Sequence, residues 1–130
     1  MHIDRMDHFV INARDVDETC AFYERVLGME VRSFPPKYGK IKALHFGRQK
    51  FHVHQNGEEP YLVADTPQPG SADFCLITTV PLAEVQRHLA DCGVALVEGP
   101  VKREGAVGLI NSVYFRDPDG NLVEVSNDLD

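Results

Sequence analysis

Two helix-ending glycines, Gly28 and Gly93, stand 65 positions apart, and each closes a segment of the same design. Before Gly28, the residues Cys20, Tyr23, Val26 and Leu27 fall on one face at helical spacing; before Gly93, Leu82, Val85, Leu89 and Cys92 do the same. A glycine just past a helix end adopts the left-handed backbone without a Cβ clash, so both stop signals have a physical basis. Asp15 stands three residues before Glu18 at the start of the first helix, a capping-box spacing, and Pro81 opens the second. Each helix is preceded by one β-rich run and followed by three: residues 8–12, 30–34, 41–46 and 50–55, then 73–78, 95–97, 109–115 and 122–126. The tight turn Asp117-Pro118-Asp119-Gly120 separates the last two. The order is therefore βαβββ twice, an internal repeat that decides the fold.

The register of the repeat follows from its landmarks. The offset of 65 carries His8 onto Asp73, whereas an offset of 72 carries His52 onto Glu124, because the turn before the last strand is longer in the second half. Residues 5–55 are read as module one, 56–70 as a linker with three prolines and two glycines, and 71–128 as module two, all within a single domain spanning 1–130.

A chain of 130 residues buries roughly two thirds of its unfolded surface, enough for a core without staples. With 20 acidic against 13 basic residues and a net charge of −7, it lacks the clustered Lys and Arg that phosphate backbones require, so nucleic acid is excluded as a partner. The short basic group Lys37, Lys40 and Lys42 reads as a solvated loop. Cys20, Cys75 and Cys92 show no CxxC spacing and sit among apolar residues, which predicts reduced core cysteines. No signal-peptide pattern follows Met1, and no apolar run is long enough to span a bilayer. The expectation is a cytoplasmic protein with no membrane partner.

Under the repeat, His8 and Asp73 begin the first strand of each half, and His52 and Glu124 lie in the last. His52 is flanked by Phe51 and Val53, and Glu124 by Val123 and Val125, so each polar side chain faces away from its apolar neighbours. A shared divalent metal would compensate desolvated imidazoles and carboxylates together. Two His and one carboxylate suit Zn, Ni, Fe or Mn. His8, His52 and Glu124 are the predicted ligands. His54 shares the face of His52 and is an alternative ligand or a catalytic residue, and Asp73 is a ligand, an orienting acceptor or a base. Tyr114 and Lys50 are candidates for the pocket wall. Arg103, Lys102 and the glycine-rich stretch 105–108 form either a flap or a plain hairpin. The predicted architecture is α+β, with two βαβββ modules forming a curved mixed sheet around a central metal-binding cleft.

Three stretches resemble the vicinal oxygen chelate superfamily of glyoxalases, bleomycin-resistance proteins and extradiol dioxygenases. They are Asp7-His8-Phe9-Val10-Ile11, Phe22-Tyr23 with Val26-Leu27-Gly28-Met29, and Phe115-Arg116-Asp117-Pro118-Asp119-Gly120-Asn121-Leu122-Val123-Glu124-Val125. The stretch from Gly99-Pro100-Val101 through Gly105-Ala106-Val107-Gly108 to Ser112-Val113-Tyr114-Phe115 is similar to the glyoxalase domain-containing protein five branch. The resemblance carries metal positions onto His8, Glu124 and either His52 or His54. At Asp73 it departs from glyoxalase I, where a His is usual.

The resemblance implies a metal-dependent lyase or isomerase working through a stabilised enolate, with Glu124 or Asp73 moving the proton. The alternatives are an extradiol-type Fe(II) dioxygenase and a metal-free small-molecule-binding resistance protein. It also implies a small-molecule substrate and a homodimer.

Overall fold

The computed structural model describes residues 1–129. The chain divides into two compact units, residues 1–70 and residue 71 onward. The first contains β1 (His8–Ala13), α1 (Val16–Leu27), β2 (Glu30–Ser33), β3 (Ile41–Phe46) and β4 (Gln49–Gln55), with a 3-10 turn at Pro36–Tyr38. The second contains β5 (Asp73–Ile77), α2 (Leu82–Asp91), β6 (Glu98–Glu104), β7 (Leu109–Arg116) and β8 (Leu122–Asp128). Each unit is thus one βαβββ module, as the repeat predicts. Hydrogen bonding arranges the strands as two four-stranded mixed sheets, ordered β1-β4-β3-β2 and β5-β8-β7-β6. In each, the first and last strands of the module pair in parallel and the other neighbours are antiparallel.

The ladders reproduce the register of the repeat. His8 pairs with Lys50 and Val10 with His52 in module one. In module two Asp73 pairs with Leu122 and Cys75 with Glu124. His8 and Asp73 therefore occupy the same rung, two residues before His52 and Glu124 respectively.

The helices form where their caps dictate. The Asp15 carboxylate accepts from the Asp17 and Glu18 amides, and Gly28 at φ 67° donates to the Tyr23 and Glu24 carbonyls. α1 packs on β3 and β4. Its Cys20, Tyr23 and Val26 bury against the sheet face that carries Ile11, Leu44, Phe51 and Val53. α2 packs on β7 through Leu82, Val85 and Leu89. An amide side chain in the last strand anchors each helix start. Gln55 accepts from the Val16 amide at 3.0 Å and donates to the Arg14 carbonyl at 2.6 Å. Asn127, 72 positions later, accepts from the Leu82 amide at 2.8 Å and donates to the carbonyls of Thr78 and Val80. In the turn before β8, the buried Asp117 accepts from the Asp119 and Asn121 amides and from the Asn121 side chain.

Two expectations need correction. The strand expected at 95–97 instead runs from Glu98 to Glu104, passing through Gly99 and Pro100 with a register shift between Glu98 and Val101. Gly and Pro usually mark a break, but here Gly99 carries φ 109° and lets β6 approach β7 closely. Of the three cysteines, Cys20 alone is buried: Cys75 is exposed on the sheet face away from α2, and Cys92 caps α2. Burial pushes the Cys20 thiol up to about 11, which makes it inert, and burial raises the Cys75 thiol as well.

Candidate metal site

Strand alternation puts the chemistry of both modules on the sheet faces turned away from the helices. In module one Phe51 and Val53 face α1, while Lys50, His52 and His54 share the opposite face with His8, Val10 and Asn12. There the rings of His8 and His52 stack with centroids 4.2 Å apart and planes 21° apart. The Asp7 carboxylate lies 2.8 Å from His8 Nδ1 and accepts a hydrogen bond when that nitrogen carries a proton. Phe34 meets His52 edge-on at 5.0 Å.

His52 Nε2 is buried and has no hydrogen-bond partner; the same holds for His54 Nδ1 and Asn12 Oδ1. Burial, and then the positive charges of His8 and Lys50, push His52 down to about 4 from an ordinary 6.5. His54 is lowered as well, chiefly by burial. Both imidazoles are therefore neutral at pH 7, the state a metal ligand requires. The arrangement offers a divalent cation one buried ring nitrogen without a partner, beside a second imidazole that meets a carboxylate; the stacked rings, with planes 21° apart, would have to turn before both could meet one ion in plane.

A pH dependence of stability follows from His52. His52 binds its proton less readily in the folded chain than in the unfolded one, so unfolding takes up protons between pH 6.5 and about 4. Stability should be complete above the unfolded value and fall as pH drops through that window. Urea midpoints at pH 7 and pH 4.5 should differ more in the wild type than in His52→Asn. An equal difference in both proteins would contradict the assignment.

In module two, Glu124 on β8 lies beside Cys75 of β5 and Tyr114 of β7. Ser112 Oγ donates to its Oε2 at 2.5 Å, and Ser126 Oγ lies 2.7 Å from Ser112 Oγ and 3.4 Å from the same carboxylate oxygen. Tyr114 has its hydroxyl proton held more tightly than usual, first by burial, with a hydrogen bond to Glu124 adding to the effect. Arg103 donates from Nε to the Tyr114 hydroxyl at 3.0 Å and from a terminal nitrogen to Glu98. Cys75, Arg103, Tyr114 and Glu124 line a pocket of about 480 Å³ whose walls include Ile77, Val107 and Ile110. The glycine-rich stretch closes the β6–β7 hairpin at its rim, with the Gly105 amide bonded to the Gly108 carbonyl.

The expected residues thus fall into two groups. His8 and His52 are together in module one, with His54 one rung along. Glu124 and Asp73 share a sheet face in module two, where Asp73 is exposed at the start of β5. Among the described residues, no group of three or more His, Cys, Asp and Glu is arranged to hold a metal ion. Sequence reasoning passed over Asp7, Asn12, Ser112 and Ser126. Asn12 and Ser126 were open to the alternation that picked out His52 and Glu124, being four residues from His8 and two from Glu124. Asp7 and Ser112 needed the tertiary structure.

With this geometry in place, the comparisons assign the class. The sequence profile of the Glyoxalase/Bleomycin resistance protein/Dioxygenase superfamily matches residues 5–125, and the chain belongs to that superfamily. Its members usually bind a divalent metal and small molecules, and often form dimers. The chain is 48% identical to virulence protein STM3117 of Salmonella typhimurium over 97% of its own length and 85% of that protein's. It is 51% identical to the glyoxalase domain-containing protein RDO1 of Mycosarcoma maydis over 94% of its own length and 67% of that protein's. The crystal structure of STM3117 superimposes with a TM-score of 0.94 at 46% identity, covering 99% of this chain and 100% of that one. Lactoylglutathione lyase from Agrobacterium tumefaciens superimposes with a TM-score of 0.73 at 26% identity, covering 96% and 94% of the two chains. No helix among the described residues is long and apolar enough to cross a membrane.

Proposed function

We propose that this protein is a divalent-metal-dependent lyase or isomerase of the glyoxalase type, acting on a small oxygenated substrate, with His8, His52 and Glu124 as metal ligands. The observation that carries the reading is the buried, unpartnered His52 Nε2, with a second imidazole, His8, next to it on the same sheet face. His52 is preferred to His54 because its ring lies next to that of His8 and it occupies the rung that Glu124 occupies in module two. A bound Zn, Ni, Fe or Mn ion would supply Lewis-acid stabilisation of negative charge on a substrate oxygen.

The chain's own residues do the rest. Asp7 meets His8 Nδ1, and Ser112 fixes one oxygen of Glu124. Glu124 or Asp73 accepts a proton from substrate carbon and returns it, and His54 is a further candidate for proton handling. The partner is a small molecule, the assembly a homodimer and the compartment the cytoplasm, where three cysteines without a disulfide are stable.

Two other readings have specific support. Two imidazoles and one carboxylate are also the donor set of Fe(II) oxygenases, which favours an extradiol-type dioxygenase. The absence of a three-residue group among the described residues favours a metal-free binding protein. One experiment separates them. The protein loaded with Ni or Zn is assayed on the hemithioacetal of a 2-oxoaldehyde, and the protein loaded anaerobically with Fe(II) is assayed on catechol with oxygen. Turnover of the first that His8→Ala reduces at least about a hundredfold supports the lyase reading. Turnover of catechol alone supports the dioxygenase, and turnover of neither leaves the binding protein.

A further inference from the structure

We propose that the pocket of module two binds a small organic cation of the alkylammonium class. Its charge meets Glu124, and its apolar part lies against Ile77, Val107 and Ile110. The cavity of about 480 Å³ is within the usual size of a small-molecule site. Its lining carries three carboxylates, Glu104, Glu124 and Asp128, against one cation, Arg103. The inference goes beyond the metal reading and needs no ion, because every group it uses belongs to module two.

Arg103 is already committed. Its Nε donates to the Tyr114 hydroxyl at 3.0 Å, one terminal nitrogen to the Lys102 carbonyl at 3.2 Å and the other to Glu98. The guanidinium also lies over the Tyr114 ring, 5.6 Å from its centroid. Glu98 thus neutralises the one positive charge of the wall, and a bound anion would find no other. Glu124 meets the hydroxyls of Ser112 and Ser126, and among the described residues no basic side chain pairs with it or with Asp128. A half-buried carboxylate beside apolar walls is unfavourable without a counter-charge. An ammonium group supplies one, with three N–H donors and no acceptor to leave unmet. Its alkyl chain would cover Ile77 and Val107, which are 53% and 91% exposed.

The sign of this face is particular to module two. At the rungs of Leu122 and Glu124, module one places Lys50 and His52, with His8 beside them. One strand order therefore presents ammonium and imidazole groups in one module and carboxylates in the other. Within β8, Asp128 stands four residues after Glu124 on the same face, about 13 Å along the strand. The negative charge of the pocket thus extends from the half-buried Glu124 to the exposed Asp128.

The test is an NMR titration of the full-length, isotope-labelled protein, dialysed against a chelator so that no metal competes for Glu124. The probes are n-hexylammonium, 1-hexanol, hexanoate and n-propylammonium. Hexylammonium should shift the amide signals of residues 103–110 and bind at least about tenfold tighter than hexanol. Propylammonium, three methylenes shorter, should bind at least about fivefold more weakly than hexylammonium. Glu124→Gln should remove the preference for hexylammonium over hexanol. Glu84→Gln, which deletes the same charge from α2 behind the sheet, should keep it. Ile77→Ser, on the edge strand β5, should weaken hexylammonium about threefold with Glu124 intact. The site is overturned if about 10 mM hexylammonium gives no saturable shift, or if hexanol binds within about threefold of it. Tighter binding of hexanoate, or an affinity unchanged in Ile77→Ser, would also overturn it. An equal loss in Glu124→Gln and Glu84→Gln would do the same, leaving only the attraction of a net charge of −7. None of these outcomes touches the metal reading, which is decided by the metal content of protein not exposed to chelator.

Discussion

Replacing Phe51 with alanine should lower stability by about 3–5 kcal/mol, the usual range for removing a fully buried aromatic ring. Phe51 is 0% exposed on β4, a strand hydrogen-bonded on both sides by β1 and β3. Its ring meets Phe9 at 4.5 Å, Phe46 at 4.9 Å and Tyr23 at 5.9 Å, each edge-on. The variant loses the transferred apolar area, those ring contacts and the packing of a space that three rigid neighbours cannot collapse to fill. Because Phe51 faces α1 and His52 faces the other way, the folded fraction should still hold the His8–His52 pair. Urea denaturation of wild type and variant under matched conditions measures the loss. A change under about 1.5 kcal/mol would mean that this cluster is not the centre of module one's core.

Gly99→Ala should damage module two by a different route. A Cβ at this position would lie 2.4 Å from the Ser112 carbonyl oxygen and 2.9 Å from the Val113 Cα, both backbone atoms of β7. The backbone φ of 109° is one that residues with side chains rarely adopt. β6 can relieve the clash only by moving off β7, which disturbs Ser112, the donor to Glu124, and Arg103, the donor to Tyr114. The expected loss is about 3 kcal/mol or more, seen as a fall in melting temperature of about 10 °C. A fall under about 3 °C would show that β6 and β7 tolerate separation at this point.

Much of this architecture is readable in the chain because its local signals agree with one another. Asp15 and Gly28 bound α1 as caps should, and the alternation around His52 and Glu124 put their side chains opposite the core. The offsets of 65 and 72 recur in the ladders, and the second recurs again in the Gln55 and Asn127 anchors, which sequence inspection did not identify. β6 was misplaced because its strand runs through Gly99-Pro100, where tertiary pairing with β7 overrides local turn chemistry. Cys75 was misjudged for a related reason: apolar neighbours in a strand say nothing about which face the residue itself takes.

At the site, the residue types and the rung were legible. The stacking of His8 on His52, the Asp7 contact and the unpartnered atoms of His52, His54 and Asn12 were not. Those depend on side-chain conformation and on what lies across the ladder, which periodicity does not encode.

The metal reading is decided by elemental analysis of the purified protein by plasma mass spectrometry, alongside His8→Ala, His52→Ala and Glu124→Ala. The account expects near-stoichiometric divalent metal in the wild type and a loss of more than about tenfold in each variant, since each removes one ligand. Retention of metal by all three variants would place the ion elsewhere. A wild type that takes up no Ni, Zn, Mn or Fe(II) even in excess would contradict the metal site and leave a small-molecule-binding protein on a glyoxalase-type fold.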